Sequence, residues 1–95
     1  MKKHLLSLVV DKEAQQVFLH LDKAGVEYLL ARLNFIKRGL DANDCPHTHL
    51  FSAGWGGCEL SISQMLDRGD GEPVHHLKIY GWNDEWREKH GFERV

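Results

Sequence analysis

One stretch of this 95-residue chain, Asp22 to Gly39, carries apolar side chains at helical spacing, while the apolar segments around it read as strands. A chain with a single long helix among strands has few ways to bury its apolar surface. One helix shields one face of a sheet. The order ββαβββ therefore predicts an α+β fold: a five-stranded, mostly antiparallel sheet, one main helix on one face and a short C-terminal helix, all in one domain spanning residues 1–95. The other face must meet solvent, the C-terminal segment, a second copy or a partner.

Local signals set the expected elements. Leu5 to Val10 is an apolar run; Gln16 to Leu21 alternates, with Val17, Leu19 and Leu21 on one side and Phe18 and His20 on the other. The polar connector from Asp11 to Gln15 makes the pair a hairpin. Asp22 is the expected N-cap, because its carboxylate can accept from free amides of the first turn. Val26, Leu29, Leu30, Leu33, Ile36 and Leu40 form the stripe expected to bury against the sheet, widened by Tyr28, Ala31 and Phe35. Lys37 and Arg38 suit the negative end of the helix dipole, and Gly39 is expected to close the helix in the left-handed conformation. Pro46, which cannot donate to a ladder, opens a third strand over His47 to Ser52. A fourth follows over Cys58 to Ser63, then a loop from Gln64 to Pro73, a fifth strand over Val74 to Trp82, and a helix capped by Asn83 that ends at Gly91.

The third and fourth strands are expected to form a hairpin about Ala53-Gly54-Trp55-Gly56-Gly57. Centring that loop on Trp55 sets Leu50 opposite Leu60, Thr48 opposite Ile62 and Ser52 opposite Cys58, all toward the helix. His49 then opposes Ser61, His47 opposes Ser63 and Phe51 opposes Glu59, all outward. A slip of one residue would invert one strand, so the clean sorting supports the register. In the fifth strand His75, Leu77 and Ile79 go inward, and His76, Lys78, Tyr80 and Trp82 outward. The open face is thus expected to gather His20, His47, His49, Glu59, Tyr80 and Trp82, with Cys58 as a buried filler and Cys45 beyond disulfide reach of it. Amphipathic rings of this kind are enriched at protein interfaces.

Charge narrows the partners. Twelve Lys and Arg against fourteen Asp and Glu, scattered along the chain, give no basic face for nucleic acid. No apolar run approaches the ~18 residues of a spanning helix, and the short apolar N-terminal stretch stops at Asp11, so a cytoplasmic protein is expected. Chemistry finds little footing. His47 and His49, with His76 or His20, could hold a metal, but no His-Glu-x-x-His or paired-cysteine spacing supports them. Cys45 precedes a proline in a connector, with no helix N-terminus to lower its pKa. His47-Thr48-His49 and His75-His76-Leu77 lack the paired His-x-Ser/Thr elements of two-histidine phosphoesterases. The Gly54-Trp55-Gly56-Gly57 turn lacks the Gly-Lys-Ser/Thr ending of a phosphate loop. No catalytic residue, metal or cofactor is expected.

Three segments, His47 to Leu50, Trp55 to Leu60 and His75 to Trp82, resemble the bacterial immunity protein 32 family of polymorphic toxin systems. The Trp-Gly-Gly-x-Glu-Leu and Lys-Ile-Tyr-x-Trp elements carry most of that resemblance, while Cys45, the Cys58 position and the tail after Trp82 fall outside it. The resemblance implies a non-enzymatic protein that binds and neutralises a cognate toxin domain. The contact residues then expected are His47, His49, Trp55, Glu59, Tyr80 and Trp82, with aromatics anchoring by burial and His and Glu setting orientation. Two other readings stand beside it: a small metal-binding protein using His47, His49 and His76, and a homodimer whose open faces meet.

Overall fold

A computed structural model describes residues 3–63, 65–66 and 69–92. The N-terminal hairpin forms as its alternation requires. Strand β1 (Leu6–Asp11) pairs antiparallel with β2 (Gln16–Leu21), from Leu6 opposite Leu21 to Asp11 opposite Gln16. Helix α1 (Lys23–Asp41) follows at once, capped by Asp22, whose Oδ1 accepts from Gly25 N at 2.7 Å and Leu5 N at 2.9 Å. One carboxylate thereby caps the helix and fixes the start of β1.

The remaining strands do not join one five-stranded sheet. β3 (His47–Phe51) pairs with β7 (His76–Tyr80) as a separate antiparallel two-stranded sheet. β6 (Glu72–Pro73) adds to the free edge of β1, making a three-stranded antiparallel sheet in the order β2-β1-β6. β4 (Met65–Leu66) and β5 (Gly69–Asp70) form a small antiparallel rung within the stretch expected to be a loop; Gln64, Asp67 and Arg68 of that stretch lie outside the described residues. The single strand expected from Val74 to Trp82 is likewise divided. Its N-terminal part bonds to the first sheet, Val74 N donating to Leu8 O at 2.9 Å, and its main part belongs to the second.

The expected hairpin about Trp55 does not form, and the reason is local. Ala53–Trp55 winds as a 3-10 turn, and Gly56 takes a left-handed φ of 88°. The chain then doubles back so sharply that the amides of Glu59 and Leu60 both donate to Phe51 O, at 3.2 and 3.1 Å. Gly57 permits this approach, since a Cβ there would lie 2.5 Å from both Phe51 Cβ and Phe51 O. Past that point the chain leaves β3 for β1: Leu60 makes one parallel bridge with Ser52, and Ser61 N donates to Leu6 O at 2.8 Å. Residues expected as a fourth strand instead join the two sheets. Cys58 is exposed rather than a buried filler, and Ile62 is exposed rather than opposite Thr48.

Helix α1 also sits differently from its apolar stripe. Its inward line is Gly25, Tyr28, Leu29, Arg32, Ile36 and Gly39, while Val26, Leu30, Leu33 and Phe35 are exposed. Glycines decide this rotation. A Cβ on Gly25 would stand 1.8 Å from Leu5 O, and one on Gly39 2.5 Å from Pro46 Cγ, so the two glycines mark where the helix backbone touches the strands. Gly39 therefore does not close the helix. It lies inside the last turn, the helix ends at Asp41 with Ala42 as its C-cap, and Asn43 takes the left-handed φ of 61° instead. The fully apolar centre is small: Leu6, Leu50 and Leu60, flanked by Leu8, Leu21, Tyr28, Leu29, Leu77 and Ile79. Helix α2 (Asp84–Lys89) is capped as expected, Asn83 Oδ1 accepting from Trp86 N at 2.9 Å, with Gly91 at a φ of 71° beyond it. Among the described residues no helix is long and apolar enough to cross a membrane.

Candidate functional site

The two-stranded sheet sorts its side chains by face. Thr48 and Leu50 of β3 are buried, Thr48 Oγ1 accepting from Arg32 Nη2 of α1 at 2.6 Å, and Leu77 and Ile79 of β7 join the apolar centre. Alternation then turns His47, His49 and Phe51, with His76, Lys78 and Tyr80, to the face away from α1. The outward sets expected from the sequence are those observed, although their partners are each other rather than residues 59–63.

On that face the rings form an unbroken series. Phe51 stacks on His76 with centroids 4.3 Å apart and planes 10° apart, and His76 stacks on His49 at 5.1 Å. The edge of His47 meets His49 at 5.3 Å, and His47 reaches Tyr80 at 6.2 Å. Tyr80 stacks on Trp82 at 5.9 Å, and Trp82 packs against His90 at 4.8 Å and Phe92 at 5.2 Å. Trp86 continues the series through His90 at 5.6 Å. Helix α2 is held at this end by Asn83, whose Nδ2 donates to Asn43 O at 3.0 Å, and His90 Nδ1 donates to Trp86 O at 2.8 Å. Two ammonium groups lie over rings: Lys78 Nζ 4.4 Å from the Tyr80 centroid and Lys89 Nζ 4.8 Å from that of Trp86.

Electrostatics within the series centre on His49. Its Nδ1 lies 2.8 Å from His76 Nε2, a hydrogen bond that needs one nitrogen unprotonated. His49 is exposed overall, but rings crowd its edge. That loss of water, then the Lys78 ammonium and the His76 and His47 imidazoles, holds its pKa below the ordinary imidazole value. Among the described residues no group of three or more His, Cys, Asp or Glu is placed to hold a metal.

Of the six residues expected to make contacts, His47, His49, Tyr80 and Trp82 come together here. Trp55 and Glu59 do not. Trp55 stacks at 5.6 Å on His75, an inward residue whose Nδ1 shares a 2.7 Å hydrogen bond with the buried Ser52 hydroxyl. Glu59 lies beside the 3-10 turn: its carboxylate accepts from Cys58 N, and His4 Nε2 donates to its carbonyl at 2.7 Å. His20, expected on the same open face, belongs to the other sheet and stacks on Phe18. Phe51 and His76 form one end of the series; their outward register was visible in the sequence, but not their stacking. His90, Phe92 and Trp86 gave no signal beyond the cap at Asn83.

The turn region encloses a cleft of about 450 Å³ lined by Lys3, His4, Ala53, Gly57, Cys58, Leu60 and Ser61. Its chemistry is muted. The Cys58 thiol pKa is raised, first by its hydrogen bond to Glu59, which favours the unreactive thiol. The amide of Cys58 in turn holds the Glu59 carboxyl below its usual range. Both cysteines are free. The ring face is therefore the better candidate, and what it offers is contact area with polar edges. Comparison with protein-family models, with curated proteins and with solved structures finds no match to this chain.

Proposed function

We propose that this chain is a non-enzymatic, immunity-type protein that binds a cognate toxin domain through the ring face and so neutralises it. The observation that carries this reading is the unbroken ring series on the side of β3 and β7 away from α1. Tyr80, 52% exposed, and the exposed His47, His49 and Trp86 present rings to solvent, held in place by a sheet and a capped helix. Rigid rings with polar edges lose little side-chain entropy on docking, which is why such residues dominate binding hot spots. The resemblance of His47 to Leu50, Trp55 to Leu60 and His75 to Trp82 to immunity protein 32 supplies the toxin as the partner class. The net charge of −2 gives little long-range attraction, so contact rather than steering carries the affinity.

The test is co-expression. Cells making the toxin domain encoded beside this chain should stop growing, and this chain should restore growth. Folded Tyr80→Ala and His49→Ala variants should restore it poorly. Normal growth with the neighbouring domain alone, or full rescue by both variants, would overturn the reading.

A further inference from the structure

A second apolar surface lies along β2, at the outer edge of the three-stranded sheet. β2 is the outer strand of its sheet, and among the described residues no strand pairs with its free edge. Exposed edges are normally blunted by lysines, prolines, bulges or short length. β2 shows none of these: Gln16-Val17-Phe18-Leu19-His20-Leu21 runs six residues in unbroken register with β1. On its helix side Val17 is 61% exposed and Leu19 46%. The helix leaves them uncovered because it crosses the sheet, from Gly25 against Leu5 to Gly39 against Pro46 beside β3.

The flank of α1 facing this edge is apolar as well. Val26, Leu30 and Leu33, at helical spacing, are 41%, 53% and 44% exposed. Their side of the helix follows from Tyr28 on the opposite flank. Tyr28 stacks at 4.9 Å on His4, whose ring bonds to Glu59, in the segment running along β1 on the side away from β2. Val26, Leu30 and Leu33 therefore turn toward β2.

We propose that β2 pairs antiparallel with β2 of a second copy of this chain across a two-fold axis, joining the two three-stranded sheets and burying Val17, Leu19, Val26, Leu30 and Leu33 of both copies. An antiparallel edge is complementary to itself, as a two-fold interface requires. Registers that keep side chains on matching faces set either Leu19 or Phe18 on the axis. The first flanks it with Val17 opposite Leu21, the second sets Val17 opposite Leu19, and both place apolar against apolar on the helix side. β2 carries no Asp, Glu, Lys or Arg, so no fixed charge repels across the axis. The five side chains leave on the order of 400 Å² of apolar surface in water, as large as the functional patches of monomers. With the strand edge added, this approaches the ~800 Å² per partner of a stable interface.

Sedimentation velocity and light scattering on the full chain, from micromolar to near-millimolar concentration, test this together with hydrogen exchange. A dimer is expected, with β2 amides pointing away from β1 protected. Leu19→Lys and, at the exposed helix flank where folding is not at stake, Leu30→Glu should each give a monomer with unchanged circular dichroism and fast β2 exchange. Tyr80→Ala should remain dimeric, and Leu30→Glu should still neutralise the toxin domain, which separates this surface from the ring face. A monomer at every concentration, a dimer that survives both charged substitutions, or a dimer lost in Tyr80→Ala would overturn it.

Discussion

His49 of β3 and His76 of β7 share a hydrogen bond of 2.8 Å, so this pair is whole only while one of the two imidazoles is neutral. The lowered pKa of His49 sets the sign of its effect on stability. The unfolded chain binds this proton more readily, so the folded state gains above the ordinary value of 6.5 and loses that gain as pH falls through the depressed folded value. Urea midpoints should therefore drop between neutral and mildly acidic pH, and His49→Phe, which keeps a ring but removes the titration, should flatten the drop. Imidazole proton shifts followed by NMR should place the His49 midpoint below that of a free imidazole. A midpoint at or above that value would contradict the crowded environment described for it.

The ring series separates anchors from bystanders. Tyr80 sits between His47 and Trp82, so under the proposed function Tyr80→Ala should weaken binding of the proposed toxin partner by about 2 kcal/mol, roughly thirtyfold. Trp55→Ala, whose ring stacks on His75 outside the series, should change affinity less than about threefold. Calorimetric titration of each variant measures both. Equal losses would mean that the turn surface shares the contact.

Gly25→Ala sets two effects against each other. Alanine favours a helix interior over glycine by about 1 kcal/mol. Its Cβ, however, would stand 1.8 Å from the Leu5 carbonyl, a backbone atom that can move only if α1 shifts from β1. Overpacking of that kind costs about 1–3 kcal/mol, so net destabilisation is expected in thermal or urea unfolding. A more stable variant would show that the helix start can lift away freely.

The buried Ser52 hydroxyl and the half-buried His75 Nδ1 form a hydrogen-bonded pair beside Trp55. Ser52→Ala strips the half-buried imidazole of its partner, at a cost of about 0.5–1.5 kcal/mol, the net worth of one hydrogen bond. The near-ultraviolet circular dichroism of Trp55 should change with it, because the ring it stacks on loses its tether. Ser52→Cys, which keeps a weak donor, should fall between the two.

What the sequence made legible was local. The β1–β2 hairpin, the Asp22 and Asn83 caps and the outward sets on β3 and β7 all follow from alternation and single-residue chemistry. Partner choice was not legible. The same alternation that suits β3 to Cys58–Ser63 suits it equally to β7, and only the curl at Gly56 and Gly57 decides between them. The rotation of α1 was hidden because its closest contacts are made by Gly25 and Gly39, which add nothing to an apolar stripe. The site shared that fate: His47, His49, Tyr80 and Trp82 converge because β3 and β7 are neighbours, whereas Glu59 joins them only through a hairpin that does not form, and Trp55 only through the family resemblance.

Asp22 offers the sharpest test of how the two halves of the fold are joined. Its Oδ1 accepts from Gly25 N and from Leu5 N, and these two bonds hold its carboxyl below the usual range. The stabilisation is therefore present above the ordinary carboxyl value of 3.8 and is lost as pH falls through the depressed folded value. Asp22→Asn keeps an acceptor oxygen for both amides, so most of the stability at neutral pH should remain while the acid-dependent part disappears. Asp22→Ala removes both bonds and should lower the unfolding midpoint at every pH. Its effect should also reach beyond the helix, because Leu5 N loses its partner at the entrance to β1. Hydrogen exchange should then show faster exchange at Leu5 as well as in the first turn of α1. If only the helix amides respond, Asp22 acts as a cap and not as a tie between helix and sheet.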